Sequence, residues 1–191
     1  MSKGRLEAFS DGVIAILITI MVLELRVPHD ATWNGLRELA PKLGAYALSF
    51  VFLGIYWNNH HHMLHAATRI NGTILWANLH LLFWLSLIPV TTGWVGESSF
   101  ATLPTAVYGI VLLAAAIAYY LLQSAIIADQ GAGSRLASMV GKDLKGKISP
   151  VLYAAAIPLA FANRWMANAL YVAVALIWLV PDPRIESRLR E

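Results

Sequence analysis

The feature that most constrains this chain is an apolar stretch with acidic residues near both ends, RLEAFSDGVIAILITIMVLELRVP, from Arg5 to Pro28. Its length and composition predict a helix that crosses a membrane, because about 20 apolar residues span the hydrocarbon core. Asp11 falls inside this stretch, and an intramembrane carboxylate costs roughly 2.5–3.5 kcal/mol on insertion scales. We therefore expect Asp11 to face protein rather than lipid.

The composition extends this interpretation to all 191 residues. Apolar residues of the AVILMFWYC set make up 58% of the chain, charged residues make up 13%, and the mean hydropathy is +0.61. These values are typical of an all-α integral membrane protein that sits in a lipid bilayer. The formal charge is +3, but the basic residues do not cluster on a solvated domain, so no nucleic acid partner is expected.

Apolar segments alternate with polar connections in a pattern that predicts six membrane-spanning helices, within a single channel domain of residues 1–191. The spans are expected at about residues 8–26, 43–64, 73–94, 105–127, 148–163 and 165–180. Short polar connections are expected at 31–42 and 129–147, and a tight turn at 163–164. The first span is expected to be retained, since no small-residue cleavage site follows a short apolar run.

The distribution of positive charge predicts the orientation. When alternate connections are counted, ten Lys and Arg residues fall on one side of the membrane and four on the other. Because Lys and Arg are enriched in cytoplasmic loops, both termini are expected to be cytoplasmic. Seven of the ten come from the polar linker and from the charged tail that follows Pro181 and Pro183: Arg135, Lys142, Lys145, Lys147, Arg184, Arg188 and Arg190.

The first span has two helical faces. Ile16, Ile20 and Leu23 fall at i, i+4 and i+7, so they form one stripe roughly 10 Å long at 1.5 Å per residue, with Thr19 beside it. Ser10 and Asp11 lie about 120–140° away from Ile16 at the same pitch and are expected to point at neighbouring helices. Taken alone, an Ile/Leu stripe in a membrane protein more often reflects ordinary helix packing than a pore.

A short motif precedes this stripe, because Arg5, Phe9, Ser10, Asp11 and Gly12 form the string RxxxFSDG. With the Ile/Leu/Thr-rich helix that ends in VLEL, it resembles the transmembrane protein 175 family of endosomal and lysosomal potassium channels and their bacterial single-repeat relatives. Further similarity lies in the segments Trp57-Asn58-Asn59-His60-His61, Asn78-Leu79 and Leu87-Ile88-Pro89.

The resemblance implies a potassium channel of modest selectivity, and not an enzyme, in the plasma membrane of a bacterial cell. Four first helices line the pore in this family, so a chain with one six-helix unit would be a homotetramer. Matching the motif position by position assigns Ile16 to a narrow constriction and hydrophobic gate, Ile20 and Leu23 to the next apolar rings, and Thr19 to a hydroxyl ring. Potassium is the permeant ion, and no cofactor or metal is implied.

Glu24 follows Leu23 near the expected outer mouth of the pore. Its charge would raise the local concentration of cations there. The alternative is a solvated interfacial acid paired with Arg26.

The polar residues of the first helix predict a structural network with the second and third spans. Asp11 and Ser10 are expected to hydrogen-bond polar side chains there, with Arg5 nearby to neutralise the carboxylate. The expected partners are Asn59, His60, His61 and Asn78. Such a network would fix the rotation of the first helix, which decides which residues face the pore.

Two other interpretations remain open from the sequence. A small ion- or proton-coupled secondary transporter would use Asp11 and the histidine cluster, and a membrane-embedded hydrolase would need a metal on those histidines. The metal hypothesis draws on His61 and His65 at i, i+4, but neither HExxH nor a matched carboxylate supports it. The seven Trp residues, Trp57 among them, mostly fall near span ends and are interpreted as an aromatic belt.

Overall fold

A computed structural model of the chain describes residues 2–28, 30–131, 133–140 and 144–179. The described residues form eight helices and no strand, which confirms the all-α prediction. The helices are α1 (Lys3–Leu23), α2 (Trp33–Ala66), α3 (Gly72–Ser86), α4 (Ile88–Glu97), α5 (Thr102–Gln130), α6 (Arg135–Val140), α7 (Leu144–Ala162) and α8 (Arg164–Leu179). Lys142 and the predicted charged tail, with Pro181, Pro183 and its three arginines, lie outside the described residues.

Among the described residues, four helical segments are long and apolar enough to cross a membrane: α1, α2, the segment Gly72–Glu97 that contains α3 and α4, and α5. The last two expected spans correspond to α7, of 19 residues, and α8, which is apolar but has only 16. Asn163 alone separates α7 from α8. This fold is therefore a helical membrane bundle.

The connection expected at 31–42 is largely helical, because α2 begins at Trp33. Thr32 caps the helix, and its hydroxyl oxygen accepts the N–H of Asn34 at 3.2 Å. The charged residues of this segment had indicated a loop. In the structure they lie on the exposed first turns of α2. The polar linker expected at 129–147 is also partly helical, since it contains α6 and the start of α7.

The third expected span is interrupted near its end. α3 ends at Ser86, α4 begins at Ile88, and Pro89 occupies the first turn of α4. A proline is tolerated there because the first N–H groups of a helix have no intrahelical partner. The interruption lets α4 pack against α2, where Gly96 brings the two backbones together: an added Cβ would lie 2.9 Å from the Cα of Lys42.

α5 occupies the centre of the bundle and packs against α3, α4, α7 and α8. Its buried residues include a series of small ones, and small residues allow close helix contact in a membrane protein. That series is Ala106, Gly109, Ala115 and Ala118. α1 lies at one side of this core, against α2, α3 and α4.

Candidate functional site

α1 has a buried face that recurs every three or four residues and packs against α2, α3 and α4. The residues of this face are Leu6, Ser10, Ile14, Leu17 and Met21. At 3.6 residues per turn they form one stripe along the helix. The opposite face of α1 is therefore left for lipid or for another chain to cover.

The residues predicted to line a pore all lie on that exposed face. The exposed fraction is 59% for Ile16, 42% for Ile20 and 74% for Leu23. Thr19 is exposed as well, and its hydroxyl donates to the carbonyl oxygen of Ala15 at 2.9 Å. Since this bond uses the hydroxyl proton, the oxygen lone pairs of Thr19 remain available as acceptors.

Glu24 lies just after the last turn of α1 and is exposed. Its backbone N–H donates to the carbonyl of Ile20 at 3.2 Å. Within the described ranges, its carboxylate forms no ion pair with Arg26, although Lys42 pairs with Glu97 at 3.6 Å in the same region. The ion pair between Glu24 and Arg26, which was the alternative from the sequence, is thus not formed in this conformation.

Three fully buried polar side chains connect α1 to α3 and α2. The amide nitrogen of Asn78 donates to the Ser10 hydroxyl oxygen at 3.0 Å, and its carbonyl oxygen lies 2.7 Å from Nε2 of His60. An amide oxygen only accepts, so Nε2 of His60 carries the proton in this bond. The Ser10 hydroxyl donates in turn to the carbonyl of Leu6 at 2.9 Å. We refer to Ser10, Asn78 and His60 as the buried triad.

A second set of polar contacts joins α1 to α2 nearer the surface. Lys3 Nζ donates to the carbonyl oxygen of His65 at 2.7 Å, and Trp57 Nε1 donates to Asp11 Oδ1 at 3.1 Å. Between these two contacts, His61 Nδ1 lies 3.0 Å from Glu7 Oε1. Each contact is one helical turn from the next, because the positions advance by four on α1 and recede by four on α2. We call these six residues the polar ladder.

The ladder and the triad differ from the expected network in three respects. Asp11 bonds Trp57 and not the histidines or asparagines that were expected. Asn59 donates to the carbonyl of its own helix at Ile55, at 2.8 Å. Arg5 and Phe9 are exposed, and Arg5 forms no ion pair among the residues that the structure describes, so it does not neutralise Asp11.

Sequence reasoning missed Lys3, Glu7 and Trp57 as members of this region. A signal was present, because Lys3, Glu7 and Asp11 repeat at intervals of four, as do Trp57, His61 and His65. The assignment of Trp57 to an aromatic belt concealed the second series. Each series marks one face of a helix.

The histidine cluster offers little to a metal. Of the described residues, no group of three or more His, Asp or Glu is arranged to hold a metal ion. The ring of His61 stacks on that of His65, with centroids 6.1 Å apart, and Nδ1 of His61 is engaged by Glu7. His80 accepts from the indole of Trp84 at 2.9 Å.

The sequence of this chain is similar to those of known proteins. Residues 5–89, which include most of α1, all of α2 and the buried triad, match the family described as "Endosomal/lysosomal potassium channel TMEM175". A protein of Chryseobacterium sp. named as a potassium channel is 52% identical over 191 residues, which cover 100% of both chains. A potassium channel of Chamaesiphon minutus is 30% identical over 187 residues, 91% of each chain.

The fold is also shared with a solved structure. The crystal structure of a lysosomal potassium-selective channel TMEM175 homolog from Chamaesiphon minutus has a TM-score of 0.82 to this chain and is 28% identical. The similarity covers 93% of this chain and 96% of that one. Identity along the full length and a common fold therefore show that the chain belongs to the TMEM175 family, whose members are ion channels and not enzymes.

Proposed function

We propose that the chain is a subunit of a potassium channel in which four copies place their α1 helices around a central pore. The observation that carries the proposal is the exposed strip on α1, formed by Ile16, Thr19, Ile20 and Leu23. A strip that the subunit leaves uncovered fits a surface that meets its own copies around an axis. Relatives named as potassium channels support the choice of ion.

In this arrangement Ile16 forms the narrowest ring, and Ile20 and Leu23 form two further apolar rings. An apolar neck gates by dewetting, since it excludes the water that a cation needs. Thr19 supplies hydroxyl oxygens between the rings, and Glu24 attracts cations at the outer mouth. Discrimination by hydroxyls and dehydration cost, without a ring of backbone carbonyls, gives modest selectivity for potassium.

The ladder and the buried triad have a positioning role in this proposal. Both act on the part of α1 that precedes Ile14, and both tie it to α2 or α3. Rotating α1 by one residue, about 100°, would break these bonds and remove Ile16 from the axis. The polar end of the helix thereby sets the orientation of its apolar end.

The same proposal places the protein in the bacterial plasma membrane with both termini in the cytoplasm. The excess of Lys and Arg on the side of the N-terminus supports this orientation. The polar ladder then lies at the cytoplasmic end of α1, and Glu24 lies at the external end.

The deciding experiment measures potassium flux from proteoliposomes containing wild type, Ile16→Asn or Ile117→Asn. Ile117 is an exposed isoleucine on α5, so its replacement controls for the polarity of the substitution alone. A polar side chain at a dewetted neck should raise flux several-fold, while the α5 variant should match wild type. Equal flux in wild type and Ile16→Asn would remove Ile16 from the pore.

Assembly is tested separately by native mass spectrometry in detergent. The spectrum should show a complex of four chains of 20.9 kDa each. A monomer or a dimer as the main species would contradict a pore lined by four first helices.

A further inference from the structure

A small cavity of about 40 Å³ lies where α2, α5, α7 and α8 meet, away from the residues of the exposed strip on α1. Its lining is mostly aromatic, with an amide and a hydroxyl among the aromatic rings. The lining includes Phe52, Tyr56, Asn59, Tyr119, Tyr153 and Trp178. Neither the pore nor the positioning contacts of α1 account for it.

Two buried tyrosines line this cavity, and their hydroxyl groups form no hydrogen bond among the described residues. These hydroxyl oxygens are not fully enclosed by protein, because Nδ1 of His60 is the one described side-chain polar atom that is both fully enclosed and unpaired. Tyr56 is 9% exposed and Tyr153 is 3% exposed, and neither hydroxyl bonds another atom in the part of the chain that the structure describes. The other two buried tyrosines are satisfied: Tyr108 bonds the Ser49 hydroxyl at 2.9 Å, and Tyr171 donates to the Thr105 carbonyl at 3.1 Å.

A hydroxyl that loses water without gaining another hydrogen bond costs about 1–3 kcal/mol by protein mutational data, so hydroxyls that line a cavity favour a polar occupant. Asn59 provides a matching acceptor, because its amide nitrogen is used by the Ile55 carbonyl and its side-chain oxygen is not bonded in the described residues. Ser149, in contrast, already donates to the Lys145 carbonyl and accepts from Trp178, both at 2.8 Å.

We propose that this cavity binds ordered water, which bridges Tyr56 on α2 to Tyr153 on α7. A water needs at least about 10–15 Å³ and two to four polar partners. The volume admits one or two molecules, and two hydroxyls and an amide oxygen provide the partners. An acyl chain would leave both hydroxyls unpaired, and none of the described residues that line the cavity carries a charge that would favour an ion.

This water would hold α7 against the part of α2 that also carries the ladder residues Trp57 and His61. Water can exchange its hydrogen-bond partners without a change in packing, so the contact between these helices would be stabilised and still adaptable. The inference does not depend on where the pore lies.

X-ray hydroxyl-radical footprinting of the wild-type protein tests it directly, because radiolysis of a bound water labels the side chains that touch it. Tyr171 is the matched control, since it is fully buried and bonded to protein. Tyr56 and Tyr153 should be labelled several-fold faster than Tyr171. Equal rates at all three tyrosines would mean a dry cavity and would overturn the proposal.

The sign of a stability change gives a second test. If water bonds the Tyr153 hydroxyl, Tyr153→Phe removes a satisfied group and should lower Tm, as Tyr171→Phe should. If the cavity is dry, Tyr153→Phe removes an unpaired hydroxyl and Tm should rise. A higher Tm in Tyr153→Phe, with a lower one in Tyr171→Phe, would therefore contradict bound water.

Discussion

The carboxylate of Asp11 accepts a hydrogen bond from the indole nitrogen of Trp57 at 3.1 Å, between residues 46 positions apart in the sequence. An indole N–H can only donate, so it serves an acid without bringing a charge of its own. Asp11 is thereby held by a rigid aromatic side chain on α2, and α1 is joined to its neighbour where its polar and apolar parts meet.

This relationship predicts opposite outcomes for two substitutions of Asp11. Asp11→Asn keeps an oxygen that accepts the indole N–H, so potassium flux in proteoliposomes should stay near the wild-type level. Asp11→Leu removes the acceptor, should cost roughly 1 kcal/mol of stability, and should change the flux by altering the rotation of α1.

The same pair of variants separates a channel from a proton-coupled transporter. A transporter that protonates Asp11 would lose flux in Asp11→Asn as completely as in Asp11→Leu. Flux that survives in the asparagine variant therefore supports a positioning role for the acid.

A double-mutant cycle on Glu7 and His61 should give a small coupling energy. The two side chains are 3.0 Å apart but partly exposed, and pairs of this kind contribute about 0.2–1 kcal/mol. Glu7→Gln and His61→Gln, alone and together, should show this coupling in thermal unfolding. His62→Gln is the control, because His62 adjoins His61 without an ion pair to Glu7 in the structure described. Coupling of Glu7 to His62 as large as that to His61 would contradict the ladder.

Asn78 should be far more sensitive than the ladder, because it is fully buried and serves two partners. Asn78→Leu keeps the volume but leaves His60 without a hydrogen bond among the described residues, at roughly 1–3 kcal/mol, while Ser10 loses the bond it accepts and keeps its bond to the Leu6 carbonyl. Asn58→Leu, at an exposed position of α2, should change stability by less than about 0.5 kcal/mol. Similar Tm values for the two variants would mean that the triad contributes no stability.

Sequence reasoning predicted the helical fold and the two faces of α1 because both depend on local periodicity. Hydrophobic residues that repeat at 3.6 per turn identify a face whatever it packs against. That rule places Ile16, Ile20 and Leu23 on one face of α1, but it does not say whether the face is buried or exposed; the structure leaves it exposed.

The partner of Asp11 depends on how α1 and α2 are placed side by side, and one chain's periodicity does not determine this. Several polar residues on α2 were within reach of the acid, and antiparallel packing selected Trp57 over Asn59 and His60. The start of α2 was misjudged for a similar reason. Charges at 37–42 indicate contact with water, and both a loop and an exposed helix satisfy that condition.

The last prediction concerns Gly109, which allows α5 and α8 to approach each other. A Cβ at this position would meet the hydroxyl of Tyr171, which donates to the Thr105 carbonyl at 3.1 Å. Gly109→Ala should therefore displace this hydroxyl and lower stability by roughly 1–3 kcal/mol, the usual cost of overpacking. Gly54→Ala is the control, since nothing lies within 4 Å of its added Cβ, and alanine there should be neutral or stabilising by up to about 1 kcal/mol.

A rescue experiment identifies the cause of the loss at Gly109. Tyr171→Phe removes the nearest atom that the new Cβ would meet but keeps the ring carbon Cζ, which would lie 2.9 Å from it. The added cost of Gly109→Ala should therefore be smaller in the Tyr171→Phe background than in wild type, without vanishing. Thermal unfolding of the four proteins in the cycle gives the coupling. Equal costs in the two backgrounds would show that the hydroxyl of Tyr171 is not what excludes a side chain at position 109.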